Sequence, residues 1–85
     1  MKRYRIKLYE WDMTYGEYIH RDYFGEIVDV KKPEDIHDVI EKRLEEIMED
    51  AEKDGWDCEM DVNGYLICTN DDGDMIQVGY DVEEV

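Results

Sequence analysis

Apolar and polar residues alternate along the first third of the chain, which is the pattern of β-strands with one buried face. A first strand is predicted over Arg3–Met13, with Ile6 and Leu8 on its apolar face and basic residues on the other face. After a turn at a glycine, a second strand is predicted near Ile19–Val30. The N-terminal third therefore predicts a β-hairpin.

The clearest periodicity is helical and begins at the single proline. Pro33 is suited to the first turn of a helix, and the acids that follow it favour the positive end of the helix dipole. Apolar residues then recur with the helical repeat of about 3.6 residues as far as Gly55, which can adopt the left-handed conformation that ends a helix. The pattern predicts an amphipathic helix over Pro33–Lys53. Its apolar stripe consists of Ile36, Val39, Ile40, Leu44, Ile47, Met48 and Ala51.

The last third alternates again and predicts three strands. The first covers Asp57–Val62, and the Asn63-Gly64 dipeptide after it is a strong signal for a two-residue hairpin turn, which places Met60 opposite Ile67. A four-residue loop, Asn70–Gly73, leads into the last strand. The element order is therefore ββαβββ. We predict one α+β domain over residues 1–85, in which an antiparallel sheet of about five strands carries one amphipathic helix on one face.

Few residues are candidates for catalysis or metal binding. The chain has no serine and no recognisable catalytic motif, so we expect neither an enzyme nor a cofactor. The predicted register places Cys58 and Cys68 on opposite faces of the sheet, which favours two reduced thiols over a disulfide. Together with His20 and His37 these cysteines lack the close ligand pair of a zinc site. The Asn70–Asp74 loop lacks the acids of an EF-hand, which leaves at most a weak, non-specific cation site there, so we predict no metal centre.

The charge of the chain is large and unevenly distributed. Its 85 residues include 25 Asp and Glu against 10 Lys and Arg, a formal net charge of -15. Residues 1–32 are nearly balanced, whereas residues 54–85 contain ten acids and no Lys or Arg. This asymmetry predicts fast, salt-sensitive association with a basic protein, and it disfavours direct binding to nucleic acid because the phosphates would be repelled.

The hydropathy of the chain bears on its location. No apolar run approaches the ~18–20 residues of a membrane span, so we expect no membrane partner. The first residues are basic but are not followed by the apolar core of a secretory signal. We therefore expect a cytoplasmic protein.

Carboxylates recur every three or four residues along the polar face of the predicted helix. Like charges at this spacing cost roughly 0.2–0.5 kcal/mol per neighbouring pair, which solubility alone does not require. Such a row can imitate phosphates. One helix carries about one charge per 4.5 Å, whereas duplex DNA carries one per ~1.7 Å. Acids from other elements would therefore have to contribute to a duplex mimic. The candidate partner-binding residues are Glu34, Asp38, Glu41, Glu45, Glu49 and Glu52 on the helix, Asp57, Glu59 and Asp61 on the next strand, and Asp71, Asp72 and Asp74 in the last loop. The alternative is a solvated face with no partner.

Basic and aromatic residues are interleaved on the outer face of the predicted N-terminal hairpin. This face is expected to carry Arg3, Arg5, Lys7, Tyr9, Trp11, His20 and Phe24. Such a mixture can bind single-stranded nucleic acid, but the net charge of the chain opposes a polyanion. A protein-contact patch, which includes a homodimer interface, or a partly covered second core fits better.

A small, strongly acidic chain with one carboxylate-studded helix and a small antiparallel sheet resembles the acidic inhibitors encoded by phages and mobile elements. That group includes anti-CRISPR and anti-restriction proteins that act as DNA mimics. The resemblance implies a stoichiometric inhibitor, working in the cytoplasm of a bacterial host cell, whose carboxylates bind the basic nucleic-acid site of a nuclease such as a CRISPR-Cas protein. Two alternatives remain: an immunity protein or antitoxin that covers a basic toxin, and a small acidic protein-interaction domain with no nucleic-acid-related role.

Overall fold

The computed structural model describes all residues from Met1 to Val85 and contains six strands and one helix. The elements are β1 (Lys2–Asp12), β2 (Glu17–Arg21), β3 (Glu26–Val30), α1 (Asp35–Lys53), β4 (Asp57–Met60), β5 (Leu66–Thr69) and β6 (Met75–Glu84). All strand pairs are antiparallel, in the order β2-β1-β6-β5-β4, and β3 pairs with the same edge of β1 as β2 does. The α+β class with a single helix on an antiparallel sheet is confirmed, but the sheet has six strands rather than about five.

The extra strand arises because the predicted second strand is interrupted at residues 22–25. The Asp22 carboxylate accepts hydrogen bonds from the N–H groups of Gly25 (3.0 Å) and Phe24 (3.1 Å), and these bonds hold the pKa of Asp22 below its ordinary value. Gly25 has a φ angle of +75°, and a Cβ atom there would lie 2.8 Å from the carbonyl oxygen of Ile6. A local Asx turn therefore separates β2 from β3 where the chain passes close to β1.

The two C-terminal hairpins have different turns from those predicted. The Asp61 N–H donates to the Tyr65 carbonyl (2.7 Å), and the Gly64 N–H donates to the Asp61 carbonyl (3.0 Å). Gly64 has a φ angle of +86°, so the loop is a three-residue turn that ends in a left-handed glycine. The loop between Asn70 and Asp74 has the same arrangement of hydrogen bonds. Each hairpin is therefore one residue out of the predicted register.

This shift changes which residues of β5 are buried. Met60 lies opposite Leu66 rather than Ile67, and Leu66 lies opposite Val78. Leu66 is consequently completely buried, whereas Val62, predicted at the end of a strand, is 98% exposed in the loop.

The shift also brings the two cysteines together. Cys58 lies directly opposite Cys68 on neighbouring strands, their Cα atoms are 4.1 Å apart, and the two side chains form a disulfide. The prediction of two reduced thiols is therefore wrong. Its cause is the register, since residues that face each other across antiparallel strands point to the same face of the sheet.

The helix covers one face of the sheet. Its predicted bounds are confirmed to within two residues, with Glu34 at the N-cap and Lys53 as the last residue. Leu44 of α1 is fully buried in a cluster with Leu66 and Val78, and Ile36 of α1 packs with Ile6 of β1 in a second cluster nearer the helix N-terminus. The opposite face of the sheet has no covering element, so the molecule has two layers and two distinct surfaces.

Candidate functional site

The six predicted carboxylates of the helix lie together on its solvent side. They are Glu34, Asp38, Glu41, Glu45, Glu49 and Glu52, which we call the helix row, and all six are exposed. The buried residues Ile36 and Leu44 mark the opposite side of the helix. With a rise of about 1.5 Å per residue, the row extends over about 27 Å.

No carboxylate of the helix row takes part in an ion pair within the molecule. The ion pairs join Lys2 to Glu84, Arg3 to Asp29, Arg5 and Lys7 to Glu83, and Arg43 to Glu26. Four of these five bases belong to β1, so the basic side chains of that strand are engaged with acids of β3 and β6. The helix row is therefore free to meet external cations.

Three further exposed acids extend the negative surface of the helix. Glu46 and Asp50 lie on the flank of α1 beyond the exposed Lys42 and Lys53, and Asp54 lies at the C-cap. Sequence reasoning missed them because it selected only the line opposite the apolar stripe. Their exposed positions could have been found from the width of that stripe, which leaves more than half of the helix circumference to polar residues.

The acids of β4 are divided between the two sides of the molecule. Asp57 and Glu59 alternate with Cys58 and Met60, whose side chains pack in the core under α1. The two carboxylates therefore point to the uncovered face of the sheet, away from the helix row. The structure does not bring them onto one surface with the helix.

Asp61 lies on the helix side, near one member of the row. It lines a groove of about 440 Å³ together with Glu41 and His37, between the first half of α1 and the β4–β5 loop. Asp61 is also a turn residue, because its carboxylate accepts hydrogen bonds from the Val62 N–H (2.7 Å) and from the Asn63 side chain (3.4 Å).

The three acids of the last loop differ in their surroundings. Asp71 and Asp72 are exposed. Asp74 is half-buried, and its carboxylate accepts a hydrogen bond of 3.2 Å from the Asn70 side chain across the turn. This loop lies beside the β1–β2 turn, where the Met75 N–H donates to the Thr14 hydroxyl (3.1 Å).

Aromatic side chains occupy the centre of the uncovered sheet face. The ring centroids of Trp11 and Tyr18 are 4.7 Å apart, those of Tyr9 and Tyr18 are 6.2 Å apart, and those of Tyr9 and Tyr65 are 6.4 Å apart. Burial raises the pKa of the Tyr9 hydroxyl. Gly79 lies beneath two of these rings, since a Cβ atom there would be 2.7 Å from the Tyr9 hydroxyl oxygen.

The predicted outer face of the N-terminal hairpin is only partly correct. Tyr9 and Trp11 lie on it, but a β-bulge after Glu10 places His20 opposite Glu10, which lines a groove on the helix side. Phe24 is 89% exposed in the turn between β2 and β3. Sequence reasoning missed the contributions of Tyr65 and Gly79, because they depend on the register of β5 and β6.

No group of three or more His, Cys, Asp or Glu side chains is arranged to hold a metal ion. No helix has the length and apolar character that crossing a membrane requires. Comparisons of the chain with protein-family models, curated proteins and solved structures find no match. The chemistry of its two surfaces is therefore the basis for a functional proposal.

Proposed function

We propose that the protein is a non-enzymatic acidic inhibitor that binds the basic nucleic-acid site of a nuclease, with a CRISPR-Cas effector as the first target class to test. The helix row would occupy the positions that phosphates take in the natural ligand. One observation carries the proposal: six exposed carboxylates lie in a row along α1, and none of them forms an ion pair within the molecule.

The chemistry of carboxylates supports this role. An arginine guanidinium binds carboxylate and phosphate oxygens with the same bidentate fork, so a phosphate-binding cleft offers suitable donors. An exposed carboxylate without an internal partner keeps its charge for such a contact, and the partner's positive charge would relieve repulsion along the helix. A surface of one sign also accelerates the encounter with a basic protein.

The charge density of the helix matches one strand of nucleic acid better than a duplex. The six charges of the helix row extend over about 27 Å, or one charge per about 4.5 Å. This spacing is closer to the ~3.4 Å of a single DNA strand than to the ~1.7 Å of a duplex. Because Asp57 and Glu59 point to the other side, we infer that the helix surface contacts one wall of the cleft, as one phosphate strand does.

Affinity capture from bacterial lysates that contain CRISPR-Cas, restriction or toxin nucleases tests the proposal. The captured protein is identified, and its release is measured in high salt and in the presence of its own DNA substrate. We expect one basic nuclease that is released by both and whose cleavage of DNA the purified protein inhibits. A nuclease that resists competition by DNA would place inhibition outside the nucleic-acid site, and the absence of any basic partner at low salt would remove the proposal's support.

A variant with Glu41, Glu45 and Glu49 replaced by Gln identifies the surface. We expect it to retain its fold, as judged by circular dichroism, and to bind the nuclease at least ten-fold more weakly, since several charge-assisted contacts of about 1 kcal/mol each are lost. If inhibition is unchanged, the helix row is not the interface.

A control for net charge comes from the acids that point elsewhere. Replacing Asp57 and Asp71 by Asn and Glu59 by Gln also removes three negative charges, but from other surfaces. We expect only a small loss of affinity for the nuclease. Equal losses in both triple variants would mean that the overall charge, rather than the helix row, governs binding.

The two alternatives predict different partners. An immunity protein or antitoxin would use the same carboxylates to cover a basic toxin, and the gene of that toxin would lie next to its own. A small acidic interaction domain without a nucleic-acid-related role would show neither a basic partner nor salt-dependent affinity. We place the proposed inhibitor in the cytoplasm of a bacterial host cell, where such nucleases act.

A further inference from the structure

We propose that the uncovered face of the sheet contains a binding site for the guanidinium group of an arginine side chain presented by a basic protein. The site is a shallow cavity of about 300 Å³ lined by Tyr9, Trp11, Tyr18, Gln77 and Asp81, which we call the aromatic cage. It lies on the face opposite the helix row, so it does not depend on the function proposed above.

The rings of the cage are arranged as walls rather than as a flat layer. The ring of Tyr18 stands at 80° to that of Trp11 and at 89° to that of Tyr9. The Tyr9 hydroxyl is held in place because it accepts a hydrogen bond of 3.3 Å from the Gln77 side chain. Three rings therefore line the cavity at different angles, and the π-electron cloud of an aromatic ring attracts cations.

The position of the Tyr9 ring depends on the absence of a side chain at Gly79. Gly79 lies between Gln77 and Asp81 on the same face of β6, and any Cβ there would meet the rings of Tyr9 and Tyr65 at less than 3.0 Å. The missing side chain allows Tyr9, one ring of the cage, to lie directly against β6.

Charge selects a cation as the ligand. Asp81 lines the cavity and forms no ion pair, although Lys7 and Arg21 line an adjoining cavity with it and Lys7 lies opposite it on β1. A carboxylate beside three aromatic rings combines the two groups that bind organic cations, a counter-charge and π surface. The net charge of -15 attracts the same ligand and repels anions.

One cage ring already stacks with a guanidinium group from outside the cavity. The guanidinium carbon of Arg21 lies 4.8 Å from the centroid of the Tyr18 ring and 6.0 Å from that of Tyr23. Arg21 does not line the cage. The planar guanidinium group stacks on aromatic rings and can also donate two hydrogen bonds to a carboxylate such as Asp81, which an ammonium group does less well.

The test is a nuclear magnetic resonance titration of the full chain with N-acetyl-arginine amide, at constant ionic strength. We expect saturable shifts of the Trp11 indole N–H resonance with a dissociation constant in the millimolar range, while the indole resonance of Trp56, which packs in the core beside α1, stays unchanged. N-acetyl-lysine amide and tetramethylammonium are titrated in parallel, and we expect both to bind several-fold more weakly.

Two variants and a control locate the site. We expect Asp81→Asn to weaken arginine binding about three- to ten-fold and Trp11→Leu to weaken it by a similar factor. Because Trp11→Leu lacks its own reporter, its binding is followed at the Gln77 side-chain amide. The control Asp57→Asn removes one charge from the same face at a distance from the cage, and it should bind as the wild type does.

Three outcomes would overturn the proposal. One is a set of shifts no larger than those produced by sodium chloride at the same ionic strength. Another is unchanged affinity in both Asp81→Asn and Trp11→Leu. The third is tighter binding of lysine or tetramethylammonium than of arginine, which would exclude a guanidinium site. Because the helix row takes no part in these titrations, failure here leaves the proposed inhibitor function standing, and the reverse also holds.

Discussion

Gly25 occupies a position that a larger residue can fill only by moving β1. Its φ angle of +75° is unfavourable for any residue with a Cβ atom, and that atom would lie 2.8 Å from the Ile6 carbonyl oxygen and from the side chains of Arg5 and Lys7. The side chains can rotate away, but the backbone oxygen cannot. Two separate costs, one conformational and one steric, therefore coincide at this residue.

We expect Gly25→Ala to lower the free energy of unfolding by about 2–4 kcal/mol, as the sum of a backbone cost near 1 kcal/mol and a steric cost of 1–3 kcal/mol. Gly16→Ala is a matched control, because Gly16 has a similar φ angle of +71° but a Cβ atom there would meet nothing within 4 Å. It should lose only the backbone part, about 1 kcal/mol. Urea denaturation of both variants measures the difference, and equal losses would show that β1 moves aside freely.

At the scale of the elements, the disulfide ties β4 to β5 at the sheet edge. Cys58 and Cys68 are ten residues apart, so the bond closes a short loop that contains the three-residue turn. Cross-linking a loop of this size stabilises the folded state by about 2–3 kcal/mol through its effect on the unfolded chain. For a domain of this size that is a large part of the total stability.

Reduction of the disulfide should therefore lower the midpoint of urea denaturation, with a loss of about 2–3 kcal/mol in the presence of a phosphine reductant. The Cys58→Ala, Cys68→Ala double variant should show a similar loss without reductant and no further response to it. If the native, untreated protein instead reacts with a thiol reagent at both cysteines, the disulfide is absent. In a reducing cytoplasm the protein would have the stability of the reduced form.

The helix could be predicted from the sequence because its signals are local. Pro33 and the acids after it define the start, Gly55 defines the end, and the apolar stripe fixes the buried side. For the same reason the exposure of the helix row followed directly from its spacing. A sequence pattern with a strong period leaves one arrangement for an amphipathic helix on a sheet.

The register of the C-terminal strands could not be predicted, because two turn types share one sequence signal. A glycine such as Gly64 ends both a two-residue turn and the three-residue turn found here, since both need a left-handed residue at that place. The prediction of the shorter turn placed Ile67 in the core instead of Leu66. It also put the two cysteines on opposite faces of the sheet. The aromatic cage was missed for a different reason: Gln77 lies opposite Trp11 only because β6 pairs with β1, and the sequence pattern does not determine the order of the strands.

At the scale of the whole molecule, the sheet and the helix differ in how their charges are paired. The bases of β1 are neutralised by acids of β3 and β6 within the sheet, whereas the outer side of α1 carries acids without partners. The helix row is thus a source of repulsion in the free protein. Repulsion between exposed charges is screened by salt, so the stability of the protein should depend on ionic strength.

We expect the free energy of unfolding of the wild-type protein to rise when sodium chloride is increased from about 0.05 to 0.5 M, because the Debye length falls well below the spacing of distant charges. Replacing Glu41, Glu45 and Glu49 by Gln removes four like-charge neighbour pairs along the row. This variant should be more stable at low salt by about 0.5–1.5 kcal/mol, since the loss of the attraction between Glu49 and Lys53 offsets part of the gain, and it should respond less to salt. Urea denaturation at both salt concentrations measures the two effects together.

Net charge alone could produce the same trend, and a second triple variant separates the two causes. Replacing Glu26 and Glu83 by Gln and Asp29 by Asn removes as many negative charges, but these acids pair with Arg43, with Arg5 and Lys7, and with Arg3. Each exposed pair contributes up to about 1 kcal/mol, so this variant should be no more stable than the wild type and should be less stable if the pairs contribute. A gain equal to that of the helix variant would mean that the total charge matters and its arrangement does not. A gain confined to the helix variant would show that the carboxylates of the helix row repel one another in the free protein. A basic partner that binds them would then reduce this repulsion.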